Sequence, residues 1–443
     1  MSKITSSFIF LLLSACFGCK AQPPVNKAKL DSLMDVISAK NKAMMSIAVM
    51  RDGKQVYTKS IGYADFSAGN KTLATAETKY RIGSISKVFT GTMIFQLIEE
   101  GKLSLTTPLA NFFPNVTNAE KITVANLLNH SSGLFNFTAE PDYQSKLGTK
   151  ITQAEQLVQF QHAPVFEPGA RHEYSNTNFV LLGFIIEKLD QTTFADAVKK
   201  RITTRIGLKN TYYGGEINPD NHEANSYKWT GSWVPDTETD MSIPGGAGAM
   251  VSTPSDLVKF FHSLFNGKLI SMANVEQMKT VQDGYGMAMF LMPFYERNTY
   301  GHTGGIDGFQ SQALYIPEDK LTLAMISNGF NISLNDVAIG ILSILLDKPY
   351  QIPDYEVLSF KLEDLDKYLG TYSTDKMPVK IAITKKDTVL YAQATGQKAF
   401  PLSAIKADVF TFDAAGITLT FDTANKQMTL KQGVNLFVMN KEK

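Results

Sequence analysis

The stretch RIGSISKVFTG, residues 81–91, places a serine and a lysine three positions apart at the head of a strongly apolar run. Apolar side chains recur every four residues from Phe89 to Leu97, which predicts a helix that starts near Ser84. Three residues are close to one helical turn, so the amine of Lys87 can reach the serine hydroxyl. A neutral lysine can take the serine proton, which would make the pair reactive. The alternative is that Ser84 only caps the helix and that Lys87 is a solvated side chain.

A second polar motif is needed to decide, because a chain of this length contains roughly one or two Ser-x-x-Lys pairs by chance. One further pair, Ser403 and Lys406, lies where no helix is predicted. Tyr174 and Asn176, in the loop before the apolar run at 179–189, supply the missing partners. A phenol can relay a proton, and an amide can orient a lysine and bind a substrate amide. The alternative is that Asn176 caps a helix and that Tyr174 is a core residue.

A third motif, HTGG at residues 302–305, leads directly into a predicted strand. Its glycines let a substrate backbone approach the strand, and the hydroxyl of Thr303 can bind a carboxylate. The main-chain N–H of Gly305 can donate to an oxyanion. Taken alone, a sequence of this kind is more typical of a tight turn before a strand.

Together the three motifs resemble the pattern of the penicillin-recognising serine hydrolases, in the branch of class C β-lactamases, serine D-alanyl-D-alanine carboxypeptidases, D-aminopeptidases and related esterases. That pattern is Ser-x-x-Lys, then Tyr-x-Asn, then Lys or His-Thr-Gly, and all three occur here in this order. The phrases LLNHSSGL at 127–134, FEPGARHEYSN at 166–176 and GGAGAMVSTPSDLVKF at 245–260 are also similar to the family. The resemblance extends from residue 27 to residue 347, and it implies the fold and the acyl-enzyme chemistry of these hydrolases.

Matched residue by residue, the resemblance implies a catalytic group of Ser84, Lys87 and Tyr174. Ser84 is the expected nucleophile, and Lys87 and Tyr174 share the general base and acid work. Asn176 is expected to hold both the substrate amide and the lysine. The main-chain N–H groups of Ser84 and Gly305 form the expected oxyanion hole.

The substrate is expected to bind along the strand that begins with His302, Thr303 and Gly304. Class C β-lactamases usually carry lysine where this chain has His302, so the resemblance does not imply broad β-lactamase activity. A neutral histidine attracts a substrate carboxylate less than lysine does, which predicts a pH dependence near neutrality. His130, in the phrase LLNHSSGL, is expected to have a structural hydrogen-bonding role.

The pattern outside the motifs predicts an α+β fold. Residues 26–41 have the spacing of an amphipathic helix, and the two strands that follow turn at residues 52–53. The chain is helical and rich in loops from about residue 90 to 240, and a hairpin at 317–319 and a helix at 334–346 follow. This order predicts an antiparallel sheet flanked by helices and interrupted by an inserted all-helical lobe, with the site in a cleft between them.

The C-terminal part of the chain has a different pattern. Two prolines and mixed charge mark residues 348–357 as a linker. Residues 358–443 then alternate with a period of two, as in ITLTFDT at 417–423, which predicts short antiparallel strands. We expect a separate small β-barrel or sandwich, similar to the lipocalin-like appendages of some family members.

The first 22 residues are typical of an export signal, with a lysine, an apolar core and small residues before Ala21. Both cysteines, Cys16 and Cys19, fall inside it, so the mature protein is expected to have neither a disulfide nor a cysteine nucleophile. LSAC at 13–16 resembles a lipoprotein box, in which Cys16 is acylated; cleavage near Ala21 is the alternative. The expected location is the periplasm of a bacterium, or its membrane through a lipid anchor.

Composition excludes several other classes of partner. The net charge is +1, with acidic and basic residues interspersed, so no surface for nucleic acid is expected. No grouping of His, Asp and Glu has the spacing of metal ligands, so we expect neither a metal nor a cofactor. The expected partner is a small molecule or a short peptide as substrate. Trp229 and Trp233 are expected to line the cleft or to be buried in the helical lobe.

The sequence therefore predicts an exported, metal-free serine hydrolase with a catalytic domain at residues 27–347. The favoured substrate is a peptide that contains a D-amino acid, hydrolysed by a D-alanyl carboxypeptidase or a D-peptidase. An esterase or a weak class C-like β-lactamase is the alternative enzyme. Outside the enzymes, the alternative is a penicillin-binding sensor that binds without turnover.

Overall fold

The computed structural model describes residues 24–67, 70–355, 362–397, 399–412, 415–432 and 435–442. The proposed export signal with its two cysteines, and part of the proposed linker, lie outside these ranges. The α-helices are α1 (Lys27–Ala39), α2 (Ser86–Glu99), α3 (Val124–Leu128), α4 (Tyr143–Lys146), α5 (Gln153–Gln159), α6 (Asn176–Asp190), α7 (Phe194–Val198), α8 (Thr204–Ile206), α9 (Gly245–Gly248), α10 (Pro254–Phe265), α11 (Met272–Met278) and α12 (Leu334–Leu345). The strands are β1 (Ala43–Arg51), β2 (Lys54–Ile61), β3 (Tyr63–Ser67), β4 (Asn70–Leu73), β5 (Tyr80–Arg81), β6 (Tyr212–Tyr213), β7 (Tyr227–Trp229), β8 (Trp233–Pro235), β9 (Met250–Ser252), β10 (Phe290–Leu291), β11 (Tyr300–Ile306), β12 (Phe309–Ile316), β13 (Leu321–Phe330), β14 (Gly370–Thr374), β15 (Met377–Lys386), β16 (Val389–Ala394), β17 (Phe400–Pro401), β18 (Ser403–Lys406), β19 (Val409–Phe412), β20 (Ile417–Asp422), β21 (Gln427–Gln432) and β22 (Asn435–Lys441). Short 3-10 helices occur at Gly83–Ile85, Leu109–Asn111, Phe137–Ala139, Pro219–Asn221 and Leu362–Tyr368, and a π-helical turn at Lys199–Thr203.

The main sheet has six antiparallel strands in the order β10-β11-β12-β13-β1-β2. The hairpin between β1 and β2 turns at Asp52 and Gly53, whose φ angles of 49° and 76° suit the tight turn that an Asp-Gly pair predicts. β12 and β13 pair up to Ile316 and Leu321, which confirms the second predicted hairpin. The helices α1 and α12 also lie where the sequence predicts them.

Helices cover both faces of this sheet, so β1 is buried along nearly its whole length. Met45, Ile47 and Val49 belong to the apolar cluster that contains α1 and α12. The alternate residues Ala48 and Met50 belong to a larger cluster with α2, α6 and α10. The period of two along β1 thus separates two core layers, and burying one such large side chain stabilises the fold by roughly 1.5–3 kcal/mol.

The helical lobe is built around α2, in which every residue from Ser86 to Leu97 is buried. α6 crosses α9 at Gly183 and Gly246, where an added Cβ on Gly246 would lie 2.6 Å from the carbonyl oxygen of Phe179. Glycine is therefore required for this close approach. The sheet with its flanking helices and this lobe confirm the predicted α+β fold.

The strands β14 to β22 form a nine-stranded antiparallel sheet in the order β17-β16-β15-β14-β22-β21-β20-β19-β18. Its two end strands are separated in sequence only by Leu402, so the sheet is curled nearly into a barrel. Tyr368, Phe410 and Phe421 fill its interior, with ring centroids 4.8–5.7 Å apart. This confirms the predicted C-terminal β region, whereas the domain boundaries at residues 348–357 stay a prediction.

The expectation for the two tryptophans was wrong. Trp229 and Trp233 lie on the hairpin of β7 and β8, with ring centroids 4.7 Å apart. Trp233 packs on Met44 of β1 and beside Gly329 of β13, in an apolar cluster at the end of the main sheet. The end of the sheet offers the apolar surface that these rings cover, and neither ring belongs to the helical core. In the ranges described, no helix has the length and apolar character needed to cross a membrane.

Candidate active site

Ser84 lies in the 3-10 turn Gly83–Ile85, immediately before α2 begins at Ser86. Gly83 has a φ of +49°, and an added Cβ there would lie 2.8 Å from the main-chain nitrogen of Gly305. Glycine at this position therefore lets β11 pass close to the serine. The hydroxyl of Ser84 lies beside the positive end of the α2 dipole, which favours negative charge.

Lys87 is fully buried one turn after the serine. Its Nζ lies 2.9 Å from Ser84 Oγ, 2.8 Å from Asn176 Oδ1 and 2.8 Å from the carbonyl oxygen of Ala247. Burial lowers the pKa of Lys87 well below its usual range. A neutral amine donates two N–H groups, which suit the amide and the carbonyl, and its lone pair then faces the serine hydroxyl. The alternative of a solvated first-turn lysine is excluded by this burial.

Tyr174 contacts the serine from another side, since its phenol donates to Ser84 Oγ at 2.7 Å. The Nζ of Lys87 lies 4.9 Å from the centre of the tyrosine ring. Burial raises the pKa of Tyr174, so the phenol keeps its proton at neutral pH. The tyrosine can therefore donate a proton to a leaving group, whereas Lys87 is the better placed base.

Asn176 begins α6, and a segment that the sequence analysis missed holds its amide in place. Its Nδ2 donates to Asn136 Oδ1 at 3.3 Å and to Thr138 Oγ1 at 3.4 Å, and its main-chain N–H donates to Asn136 Oδ1 at 3.0 Å. These bonds leave Asn176 Oδ1 facing Lys87. The sequence signal for Asn136 is weak, because it lies 40 residues from its partner.

His130 is buried, and its Nδ1 accepts a hydrogen bond from the main-chain N–H of Ser175 at 3.1 Å. Burial lowers the pKa of His130 well below its usual range. The neutral ring stacks on Tyr174 with centroids 4.5 Å apart. This agrees with the predicted structural role, and it adds that His130 positions the residues on either side of Ser175.

His302 has a different environment from the one expected. It is 2% exposed, and its ring packs on Phe290 and Tyr174 at centroid distances of 4.5 and 6.3 Å. Burial lowers the pKa of His302 to about 3, and its Nδ1 lies 2.5 Å from the carbonyl oxygen of Thr303. The ring is therefore neutral with its proton on Nδ1, and the pH dependence near neutrality predicted from this histidine was wrong.

The remaining residues of the third motif are divided between packing and the cleft. Thr303 is exposed, and Gly305 lines the cleft, whereas His302 is not among the side chains that line it. An added Cβ on Gly304 would lie 2.1 Å from the carbonyl oxygen of Ile82. Gly304 is thus needed for the close packing of β11 against the turn that carries the serine.

A buried ion pair joins the two sides of the cleft. Arg81, three residues before the serine, donates to Asp307 at 2.9 Å, and their side chains are 2% and 0% exposed. Arg81 also donates to Glu238 at 2.7 Å, and Thr239 donates to Asp307 through its hydroxyl and its main-chain N–H. Burial raises the pKa of Asp307, which the bonds from Thr239 and Arg81 oppose. The sequence analysis missed the pair because 226 residues separate its members.

The cleft itself has a volume of about 420 Å³. Ser84, Asn176 and Gly305 line it together with the segment after Asn136 and the turn after β11. The charged side chains among its described lining residues are Asp236 and Asp307, both acidic. In the described ranges, no group of three His, Cys, Asp or Glu side chains could hold a metal ion.

This arrangement can perform acyl transfer. A serine hydroxyl lies between a buried amine that can accept its proton and a phenol that can return it. Such a serine, at the junction of an antiparallel sheet and a helical lobe, defines the chain as a serine hydrolase. The model of the Beta-lactamase family matches residues 30–342, and the chain belongs to this family of penicillin-recognising hydrolases. The resemblance stated from the motifs is confirmed.

Three known proteins show what the chain is similar to. Penicillin-binding protein 4* of Bacillus subtilis (strain 168) is 26% identical over 434 residues, which cover 89% of this chain and 94% of that protein. Teichoic acid D-alanine hydrolase of Staphylococcus aureus (strain MRSA252) is 25% identical over 293 residues, which cover 65% and 71%. D-amino acid amidase of Ochrobactrum anthropi SV3, solved with L-phenylalanine amide, matches with a TM-score of 0.62 and 28% identity, over 72% of this chain and 99% of that one.

Proposed function

We propose that this chain is an exported hydrolase that forms an acyl-enzyme at Ser84 and acts on amides, esters and short peptides of D-amino acids. The observation that carries the proposal is the 2.9 Å contact between Ser84 Oγ and the fully buried Nζ of Lys87. Burial that lowers the pKa of Lys87 disfavours its charged form and so supplies a base at neutral pH. A protein that only binds its ligand has no need for this costly arrangement.

In the proposed reaction, Lys87 takes the Ser84 proton as Oγ attacks the substrate carbonyl carbon. The main-chain N–H groups of Ser84 and Gly305 stabilise the oxyanion. The proton passes through Tyr174 to the leaving nitrogen or oxygen, whose bond to the carbonyl carbon breaks. Water then attacks the acyl-enzyme with the same proton transfers, which releases the acid and restores the serine hydroxyl.

The choice of a D-amino acid substrate is supported by the relatives. A teichoic acid D-alanine hydrolase and a D-amino acid amidase are both similar to the chain over most of its catalytic region. One name specifies a D-alanine substituent and the other a D-amino acid amide, so the two share a D-amino acid. The proposed substrate class follows from this common element.

The charge of the cleft favours a substrate with a free amine over one with a free carboxylate. Asp236 and Asp307 are the charged side chains among the described residues that line it, and His302 is neutral and outside it. Since a substrate carboxylate would lie near acidic groups, we favour the D-peptidase and amidase activities over the D-alanyl carboxypeptidase also considered. For the same reason, β-lactams, which carry a carboxylate, are expected to be poor substrates. An esterase remains the second candidate, because the same acyl-enzyme serves an ester.

Turnover by wild type and by Ser84→Ala tests the proposal. Both proteins are incubated with D- and L-phenylalanine amide, D-alanyl-D-alanine, a penicillin and a fluorophosphonate, and the products and the intact mass are followed with time. We expect wild type to release ammonia from the D-amide faster than from the L-amide, and Ser84→Ala to be inactive. A penicillin adduct that persists while no amide or peptide is hydrolysed would support the sensor instead. Release of D-alanine from the dipeptide at a higher rate than ammonia from the amide would restore the carboxypeptidase.

Export, and a lipid anchor at Cys16, are the second part of the proposal. The support is the sequence of the first 22 residues, where an apolar core precedes LSAC. The mass of the mature N-terminus decides between acylation of Cys16 and cleavage near Ala21. With an anchor, Cys16→Ala moves the protein from the membrane fraction to the soluble fraction, whereas Cys19→Ala leaves it in the membrane.

A further inference from the structure

A second cavity, of about 480 Å³, lies beside the catalytic cleft. Its wall is mainly carbon, with contributions from Phe137, Tyr143, Ile151, Val158 and Ile243. The cleft that contains Ser84 is more polar. A volume of several hundred Å³ with an apolar wall is typical of a site for a small apolar group.

The two spaces meet at Phe137 and Tyr143, because both side chains line the cleft and the cavity. The rings contact each other edge to face with centroids 5.8 Å apart. Phe137 lies between Asn136 and Thr138, the two residues that hold the amide of Asn176. The wall of the cavity is therefore fixed to the same hydrogen bonds that orient the lysine base.

Several charged groups at the mouth of the cavity already have partners. Asp142 forms an ion pair with Lys146 at 2.5 Å, and Glu140 contacts His162 at 2.5 Å. Glu155 accepts hydrogen bonds from the main chain and the hydroxyl of Thr152 at 2.8 and 2.7 Å, as part of the cap of α5. Groups that are paired with one another attract a charged ligand only weakly, so the cavity favours an uncharged group.

We propose that this cavity binds an apolar group on the acyl part of the substrate, the part that becomes attached to Ser84. The inference rests on the proposed function, because it requires an acyl-enzyme at that serine. The continuity of the two spaces commits the cavity to the substrate and not to a separate ligand. It makes the enzyme selective for acyl groups that extend beyond the reacting carbonyl with a hydrocarbon chain or an aromatic ring.

A series of p-nitrophenyl esters from acetyl to octanoyl tests the inference. We expect kcat/KM of wild type to rise with chain length by roughly fourfold for each methylene that enters the cavity. Val158→Trp fills the cavity from a position that is 67% exposed, so the fold is kept. In this variant the acetyl ester is expected to react as in wild type, while the rise with chain length is lost. Val158→Asp, which adds a charge instead of volume, is expected to lose the rise as well.

Leu73→Trp is the matched control, because Leu73 is 64% exposed and does not line the cavity. It should retain the wild-type rise. A wild-type rate that does not depend on chain length, or a rise that persists in both Val158 variants, overturns the inference. If instead wild type hydrolyses the acetyl ester no faster than Ser84→Ala does, the proposed function itself has failed. The acetyl rate thus separates the two failures.

Discussion

The Nζ atom of Lys87 lies 2.9 Å from the Oγ atom of Ser84, and its other two neighbours at hydrogen-bond distance are neutral acceptors, Asn176 Oδ1 and the carbonyl oxygen of Ala247. We expect Lys87→Met, which keeps the length of the side chain, to lower kcat/KM by roughly 10²–10⁴-fold, since the general base is removed. The same variant is expected to melt at a higher temperature, because a buried amine is replaced by an apolar group. Kinetics and thermal unfolding of purified protein check both results.

The control for this variant is Lys199→Met, which makes the same change at an exposed lysine. We expect neither its activity nor its melting temperature to differ from wild type by much. If Lys87→Met keeps the activity of wild type, another group must take the serine proton.

The pH profile of kcat/KM is expected to have one step on its acidic side. Burial lowers the pKa of Lys87, so the neutral amine forms and acylation accelerates as the pH rises through that lowered pKa. The rate then stays level into the alkaline range, because burial raises the pKa of Tyr174 and the phenol keeps its proton. His302, whose pKa is about 3, contributes no step near neutrality. A step near neutrality that disappears in His302→Gln would contradict this account.

The lowered pKa of Lys87 also makes stability depend on pH. An unfolded lysine has a pKa of 10.5, and burial places the folded value well below it. Between the two values the unfolded state binds more protons, so the free energy of unfolding rises with pH across this window. We expect the melting temperature of wild type to increase more steeply with pH there than that of Lys87→Met. Equal slopes would mean that Lys87 has an ordinary pKa in the folded state.

The part of the site that could be predicted from the sequence is the part that local geometry determines. Ser84 and Lys87 are one helical turn apart, so a helix alone brings them together. The strands of the main sheet could be predicted for a similar reason, because the Asp-Gly turn after β1 is a local signal. Tyr174 and Asn176 needed the resemblance, since nothing local places them beside the serine.

The features that could not be predicted depend on contacts between distant segments. Asn136 reaches Asn176 across 40 residues, and Arg81 reaches Asp307 across 226. The burial of His302 depends on Phe290 and on the loop with Tyr174, neither of which is near it in sequence. Burial determines the pKa of a histidine, so the error about its titration followed from the missing contacts.

Asn136→Asp is expected to move the acidic step of the pH profile to higher pH. The substitution keeps an oxygen that accepts from the main-chain N–H and the Nδ2 of Asn176, so the segment stays in place. It adds a negative charge one residue from the lysine, which favours the protonated form and raises the pKa of Lys87. We expect a shift of up to about one pH unit with the rate at the plateau largely retained.

Asn26→Asp is the matched control, because Asn26 also accepts from a main-chain N–H, that of Lys29 at the start of α1. It should leave the pH profile unchanged. If Asn136→Asp lowers the plateau without moving the step, Asn136 holds the structure of the site but has no electrostatic effect on Lys87.

Gly83→Ala is expected to reduce both stability and activity, because two separate costs combine at this residue. Its φ of +49° disfavours any residue with a Cβ by about 1 kcal/mol, and the new Cβ would lie 2.8 Å from the nitrogen of Gly305. Gly101 separates the costs: its φ is +71°, but no heavy atom of the described residues lies within 4 Å of an added Cβ. We therefore expect Gly101→Ala to lower the melting temperature slightly with full activity, and Gly83→Ala to lower it further and to reduce kcat as β11 moves away from Ser84. Equal losses of stability in the two variants, with kcat unchanged in both, would show that the close approach of β11 to the serine is not required for the reaction.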